Sequence, residues 1–304
     1  MLFPFIKYTK FWFGFSILIL VVGIVAMVNN QIKFGSPLVY GIDFTGGTLM
    51  EVHFDASVQG DQTQKIHEAV DAIVPGTVKQ ITVTDKGDYV IQGKDLTNEQ
   101  HDQAKESMKQ KIGNFEEIRF TVIGPKISST LKQKALFALG VAMIAIVFYI
   151  AYAFRRIPKR VSPWRFGITA IIALLHDVLS TIGVFALMRY EVDALFITAL
   201  LTVVGFSVHD TIVVFDRIRE NLKKQTREQT FSDVADISLN QTIGRSINTS
   251  LSVLITLTAL YIFGADSIKI FVFALLFGIF IGTYSSIFVA TPLLTLWQEK
   301  TRQR

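Results

Sequence analysis

The chain has 304 residues, 50% of them hydrophobic and 18% charged, with a mean hydropathy of +0.42, against about 25% charge in ordinary soluble chains. That balance excludes a typical soluble enzyme and points to an α-helical polytopic membrane protein. The sequence has no cysteine, which rules out a disulfide framework or thiolate metal site and argues against redox chemistry. The net charge of +5 raises nucleic acid as a partner only until the basic residues are placed along the chain.

Six apolar stretches reach the roughly 20 residues needed to cross a bilayer: Phe11 to Val28, Ala135 to Phe154, Phe166 to Met188, Leu195 to Phe215, Ile247 to Phe263 and Ile270 to Trp297. The first follows Lys7 and Lys10 as a signal peptide would, but its apolar core is long and Ala26-Met27-Val28 is a poor cleavage site, so it reads as an uncleaved anchor. Basic residues gather on one side: Lys7 and Lys10, then Arg155, Arg156, Lys159, Arg160 and Arg165, then Arg217, Arg219, Lys223, Lys224, Arg227 and Arg245, and finally Lys300, Arg302 and Arg304. The opposite short loops hold Arg189 and Lys269. The positive-inside rule then predicts both termini in the cytoplasm and the long segment after the first span outside. The basic character is thereby explained without nucleic acid.

The expected organisation is an N-terminal membrane anchor over residues 1–30, an external α+β domain over 31–132, and a five-helix membrane domain over 133–304. Within the external domain, Thr48 to Asp55 alternates as a strand does, and Gln62 to Val74 places Ile66, Ala69, Val70 and Ile73 at helical spacing. Two further strands, KQITVT and YVIQGK, flank a hairpin signal at Asp85-Lys86-Gly87-Asp88. Thr97 with Gln100 reads as a capping box opening a helix to Lys111, stopped near Gly113-Asn114. Glu116 to Ile123 is a last strand, and Gly124-Pro125 breaks the chain before the second span. The order β-α-β-β-α-β is that of a ferredoxin-like unit. Residues 31–132 carry 11 basic and 14 acidic side chains, about −3 in total, which suits a partner-binding or lever domain better than an anion-binding one. His53, His67 and His101 lack any metal-ligand spacing and read as exposed or half-packed histidines.

Three constellations bear on function. Gly41-Ile42-Asp43-Phe44-Thr45-Gly46-Gly47-Thr48 precedes a strand and lacks the Lys-Ser/Thr of a phosphate loop, so it reads as a compact turn in which glycines permit positive φ and Asp43 bonds nearby amides. No phosphate-loop motif occurs in the sequence, which argues against ATP hydrolysis by this chain. His176 and Asp177 interrupt the third span at mid-depth, where ionisable groups face protein or water. Neighbours on a helix point about 100° apart, so the two cannot share one partner; a register-fixing polar pair and a relay site both remain open, the former worth ~0.6 to 2 kcal/mol per hydrogen bond. The third constellation, VVGFSVHDTIVVFDRIRENL, sets Gly205, Ser207, His209, Asp210 and Thr211 in an otherwise apolar fourth span. Asp210 falls about 22 Å inward through a ~30 Å core. Such a carboxylate is a functional-site hypothesis, most simply a proton carrier, and Arg245, opening the fifth span from the same side, is expected to snorkel toward it. Asp216, Arg217 and Glu220 read as interfacial anchors. Arg245-Ser246-Ile247-Asn248-Thr249-Ser250 supplies small polar groups for interhelical bonds, and Gly278 with Gly282 reads as a packing notch in the sixth span.

GIDFTGGT after the first span, ALLHD in the third, GFSVHDTIVVFDRIREN in the fourth and RSINTS in the fifth together resemble the SecD/SecF protein-export family of the resistance-nodulation-division superfamily, on its SecF side. The resemblance covers nearly the whole chain. It implies a non-enzymatic subunit in the cytoplasmic membrane of a bacterium, paired with SecD beside the SecYEG channel and SecA, with YajC and YidC as further partners. It also implies no bound cofactor, and coupling of late preprotein translocation to the proton gradient or to sodium. On this resemblance Asp210 is the relay carboxylate and Arg245 its basic partner, with Ser207, His209, His176 and Asp177 as supporting candidates. The family pattern Gly-Tyr-Ser-x-Asn-Asp is altered here, since Phe206 and His209 replace its Tyr and Asn, so the partners of Asp210 need to be found directly. A proton-coupled exporter of small molecules or lipids is the alternative reading.

Overall fold

The computed structural model describes residues 3–55, 58, 60–84, 87–155, 161–226 and 228–302. Asp85 and Lys86 of the hairpin signal, and the basic residues Arg156, Lys159, Arg160, Arg227 and Arg304, lie outside the described residues. The chain forms two compact units, Tyr40–Leu136 and Met1–Val39 together with Phe137–Arg304.

In chain order the elements are the long helix α1 (Thr9–Phe34), then β1 (Gly47–Phe54), α2 (Thr63–Asp71), β2 (Val78–Val83), β3 (Tyr89–Gly93), α3 (Asn98–Lys111) and β4 (Phe115–Ile123). The helices α4 (Pro125–Ala153), α5 (Pro163–Met188), α6 (Ala194–Lys223), α7 (Phe231–Phe263), α8 (Asp266–Ser285) and α9 (Thr291–Arg302) follow, with α8 and α9 joined by a π-helical turn at Ser286–Ala290. Six helical stretches among the described residues are long and apolar enough to cross a membrane.

In the smaller unit the sheet runs β2-β3-β1-β4 with every pair antiparallel, the ferredoxin-like order expected from the sequence. Met50 sits opposite Ile91 on one side and Phe120 on the other. Because side chains alternate along a strand, Met50, Val52 and Phe54 all face the helices, where they meet Ile66, Ala69 and Val70 of α2 and Ala104 and Met108 of α3. Ile73 packs against the edge of this core. The capping box at the start of α3 forms as expected: Gln100 N–H donates to Thr97 Oγ1 at 3.3 Å, and Thr97 N–H donates to Gln100 Oε1 at 3.0 Å. Asp61 accepts from the Thr63 hydroxyl at 2.5 Å and from its backbone N–H at 2.9 Å, and these bonds hold its carboxyl below the ordinary carboxylate range.

In the helical unit the buried surface belongs mainly to α5, α6 and α8. Phe154 stacks on Phe166, and Phe215 meets both edge-on. The glycine notch predicted in the sixth span receives α6: a Cβ added at Gly278 would lie 2.3 Å from Val203 Cγ2, and one at Gly282 would lie 2.9 Å from Ser207 Cβ. Helix α1 docks on α5 through a second close approach, where a Cβ at Gly23 would sit 2.7 Å from Gly183 Cα. The buried Asn30 amide fixes its register by donating to Ala186 O at 2.7 Å. Small residues let backbones pack this closely, which is how helices associate where lipid removes the hydrophobic contrast.

Candidate functional site

Two carboxylates lie within the packed helices, and each is held by hydroxyl groups from neighbouring helices. Asp210 on α6 is 1% exposed; its Oδ2 accepts from Ser250 Oγ of α7 and Thr283 Oγ1 of α8, both at 3.2 Å. These two hydroxyls stand 2.6 Å from one another. Thr283 Oγ1 also lies 3.0 Å from Ile279 O in its own helix, so it has two acceptors to choose between. Helical periodicity produces this meeting: Ser246 and Ser250 are one turn apart on the inward face of α7 and both are buried.

Asp177 on α5 is fully buried. Its Oδ2 accepts from Ser207 Oγ of α6 at 2.6 Å and from Ser285 Oγ of α8 at 2.8 Å, while its Oδ1 faces His176 Nδ1 at 3.1 Å. His176 itself turns toward Tyr284, with ring centroids 6.4 Å apart. The two neighbours therefore do point to different partners, as the 100° step requires.

Arg245 is where the structure departs from the sequence expectation. It is exposed on α7 and forms no ion pair with Asp210 in this structure. Arg245 precedes Ser250 by five residues, a rotation of about 140° around the helix, so the face that carries Ser250 onto Asp210 carries Arg245 away from it. His209 is likewise exposed, one step around α6 from Asp210, whereas Ser207 is buried and bound to Asp177. The charges near the C-terminal end of α6 pair locally, Arg217 with Glu220 at 2.7 Å and Arg219 with Asp216 at 2.5 Å.

The segment that sequence reasoning passed over is Thr283-Tyr284-Ser285-Ser286, at the junction of α8 and the π-helical turn. Thr283 reaches Asp210, and Tyr284 donates to Trp12 O of α1 at 2.9 Å. Ser285 reaches Asp177, and Ser286 Oγ stands 2.8 Å from Thr211 Oγ1. The signal available was four consecutive hydroxyl side chains inside the longest apolar run of the chain. The π-turn that starts at Ser286, a geometry often found at functional sites, could not be read from composition.

The glycine motif forms the compact turn read from sequence. Gly41 O accepts from Phe44 N and Thr45 N at 3.0 and 3.1 Å, and the helical turn Ile42–Thr45 includes Asp43. Gly46 and Gly47 take φ of 68° and 122°. A Cβ on Gly47 would fall 2.1 Å from Gly93 O, so no other residue fits this crossing. Of the three histidines in the same unit, His53 lies 2.5 Å from Asp88 and His67 lies 3.4 Å from Asp71, both half exposed. His101 is buried, stacked on Phe120 and 3.0 Å from Glu117. No group of three metal-binding side chains occurs among the described residues.

Comparison with known proteins gives a consistent picture. Residues 103–300 match the model for the protein export membrane protein SecD/SecF C-terminal region, and residues 34–58 match the model for the SecD/SecF GG motif. The chain is 42% identical to the protein translocase subunit SecF of Thermobaculum terrenum over 94% of its own length and 90% of that protein. It is 35% identical to the SecF subunit of Vibrio alginolyticus over 95% of its length and 88% of that protein. Among solved structures it superposes on SecDF of Thermus thermophilus, a translocon-associated membrane protein, with a TM-score of 0.83 and 28% identity. That match covers 98% of this chain but 39% of the SecDF chain. A second SecDF structure, in a super-membrane-facing form, matches with a TM-score of 0.68 over 100% of this chain and 40% of the other.

Proposed function

This chain belongs to the SecD/SecF protein-export family, a multi-pass bacterial membrane family, and from that premise we propose that it uses the proton-motive force to promote late preprotein translocation through the SecYEG channel. The observation that carries the reading is Asp210: a buried carboxylate on a membrane-spanning helix whose donors are the hydroxyls of Ser250 and Thr283. A hydroxyl can donate or accept. When Asp210 is ionised it takes both hydrogens; when it is protonated its own O–H donates to one of these oxygens, and Thr283 turns its hydrogen to Ile279 O. Both charge states keep their hydrogen bonds, which is what a proton carrier needs. One charge moved through 100 mV supplies about 2.3 kcal/mol, so a few protons bias a domain equilibrium of several kcal/mol.

The partner is SecD, and the exposed faces of α6 and α7 support this. Thr198, Thr202, Gly205 and His209 recur along one exposed face of α6, and Arg245, Asn248, Thr249, Ser252 and Thr256 along one exposed face of α7. A separate face of α7, with Ile247, Leu251, Ile255 and Ile262, is apolar and exposed, as a lipid-facing surface should be. The hydroxyls of Thr249, Ser252 and Thr256 return to their own helix, but the Asn248 amide and Arg245 guanidinium cannot be left to hydrocarbon without heavy cost. A protein partner is the natural cover. Arg245 then acts as the cation of the relay from the SecD-facing side, approaching Asp210 when α7 turns. In this arrangement both termini are cytoplasmic and the ferredoxin-like domain is extracytoplasmic, where its movement draws on the emerging preprotein delivered by SecA. YajC and YidC complete the assembly, and the chain itself serves as a non-enzymatic accessory subunit.

The coupling ion is the proton; the all-oxygen surroundings of Asp210 are the observation that keeps sodium as a second reading, since hard cations favour oxygen donors. The exporter alternative is not favoured, because the relatives are named as translocase subunits. The test is preprotein transport by vesicles bearing the assembled complex under an imposed proton gradient, an imposed sodium gradient, or neither. Stimulation by neither gradient rejects the proposal, and stimulation by sodium alone replaces the ion.

A further inference from the structure

The Asp210 reading leaves a second buried carboxylate unused. Asp177 is as deeply enclosed as Asp210, on a different helix, and its surroundings repeat the same chemistry. Its Oδ2 accepts two hydroxyls, Ser207 Oγ and Ser285 Oγ. Ser285 Oγ also lies 3.1 Å from Gly282 O in its own helix, just as Thr283 lies near Ile279 O. A carboxylate meant to stay ionised is better served by backbone N–H groups or a guanidinium, donors that cannot reverse. The one titratable group in contact with Asp177 among the described residues is His176 on its own helix; Tyr284 of α8 lies against His176, and Asp210 follows Ser207 by three residues on α6. Helix α1 contributes the Ser16 hydroxyl and the Trp12 carbonyl, both bound to Tyr284. Among the described residues no Lys or Arg forms an ion pair with Asp177. Beside it, His176 Nε2 and Ser180 Oγ, one turn apart on α5, are buried without a hydrogen-bond partner, so polar atoms able to receive a proton continue along that helix.

The two carboxylates share a single turn of α8. Thr283 binds Asp210 and Ser285 binds Asp177, while Ser286, at the entry to the π-turn, contacts both Thr211 Oγ1 at 2.8 Å and Ser207 O at 3.3 Å. The residue after Asp210 and the residue that binds Asp177 are thus stitched to one side chain. When either carboxylate takes up a proton, a hydroxyl facing it must reverse, and on α8 that hydroxyl belongs to the same short segment that also holds the other carboxylate. Hydrogen-bonded chains of this kind respond as a unit.

We propose that Asp177 is a second proton-carrying carboxylate, tied to Asp210 through the Thr283–Ser286 turn so that loading one alters loading of the other. The proton forms an O–H bond on Asp177 Oδ2, and that bond breaks when the proton leaves; no other covalent bond of the protein is made or broken. The linkage rests on the reading of Asp210 as a proton carrier, and the experiment separates the two.

The full-length protein in liposomes, labelled at the aspartate carboxyl carbon, is titrated by infrared difference spectroscopy, with the proton as the only ligand. Two buried carboxylic-acid signals are expected. Asp177→Asn should delete one and Asp210→Asn the other, each moving the midpoint of the survivor by about one pH unit, the scale at which interacting sites titrate as a pair. Loss of a signal in Asp210→Asn with none lost in Asp177→Asn overturns the proposal and leaves the Asp210 reading intact. Two signals with independent midpoints overturn the linkage. Absence of any Asp210 signal overturns the Asp210 reading and the linkage with it. Should Asp177→Asn fail to assemble, Ser285→Ala keeps the carboxylate and removes one donor: a displaced midpoint for one signal supports the proposal, and an unchanged titration overturns it.

Discussion

The paired carboxylates of the ferredoxin-like unit and the two most deeply buried carboxylates of the helical unit are stabilised in different ways. Glu51 stands 3.3 Å from Arg119, and Glu117 takes Lys105 at 2.5 Å and His101 at 3.0 Å. Asp210 and Asp177 receive hydroxyls instead, with His176 Nδ1 also 3.1 Å from Asp177 Oδ1. Cations and N–H groups donate only, so they fix a negative charge in place. Hydroxyls follow whichever charge state the carboxyl adopts. The charge pairs fix a negative charge, whereas the hydroxyl shells of Asp210 and Asp177 are compatible with either charge state.

The strongest test of that contrast is Asp210→Asn, which should abolish proton-motive stimulation of preprotein transport in vesicles while co-purification with SecD stays normal. Undiminished stimulation would remove the functional half of the comparison. The packing that brings α8 onto α6 is tested by Gly278→Ala, whose new Cβ meets Val203 at 2.3 Å. It should cost about 1–3 kcal/mol in unfolding measured in detergent, the usual penalty of overpacking, and an unaffected stability would mean that the notch is not needed. In the ferredoxin-like unit, Thr97→Ala removes the cap of α3 and should cost ~1 kcal/mol, read as faster hydrogen exchange in the first turn of α3. The smallest effect belongs to Arg119→Ala, because the guanidinium is half exposed; a loss of about 0–1 kcal/mol is expected from an exposed pair. A larger loss would show that this surface charge carries more of the fold than its exposure implies.

Much of the architecture could be read from residues. The alternation in Thr48 to Asp55, the spacing of Ile66, Ala69 and Val70, and the Thr97–Gln100 box each act within a few residues and formed as written. The candidate site was legible only in part. Asp210 and Asp177 stand out because a carboxylate in an apolar run is costly wherever it lies, but their partners were not evident. Arg245 looked like the natural counter-ion by depth alone, and the rotation of α7 turned it outward. Thr283 and Ser285, which hold the two carboxylates to one helix, gave no signal beyond their polarity.

The sequence by itself determined which segments are apolar enough to span, since in lipid every backbone group must be bonded within a helix or closed sheet and hydropathy reports that constraint directly, and which short segments become strands, since alternation marks a half-buried face. The tertiary structure alone decided which side chain faces which. That outcome depends on the rotational phase of each helix against its neighbours, set by close glycine contacts at Gly278, Gly282 and Gly23 and, beyond Ser285, by a π-turn that offsets the faces on either side of it. Phase is a property of pairs of helices, and no single stretch of residues contains it.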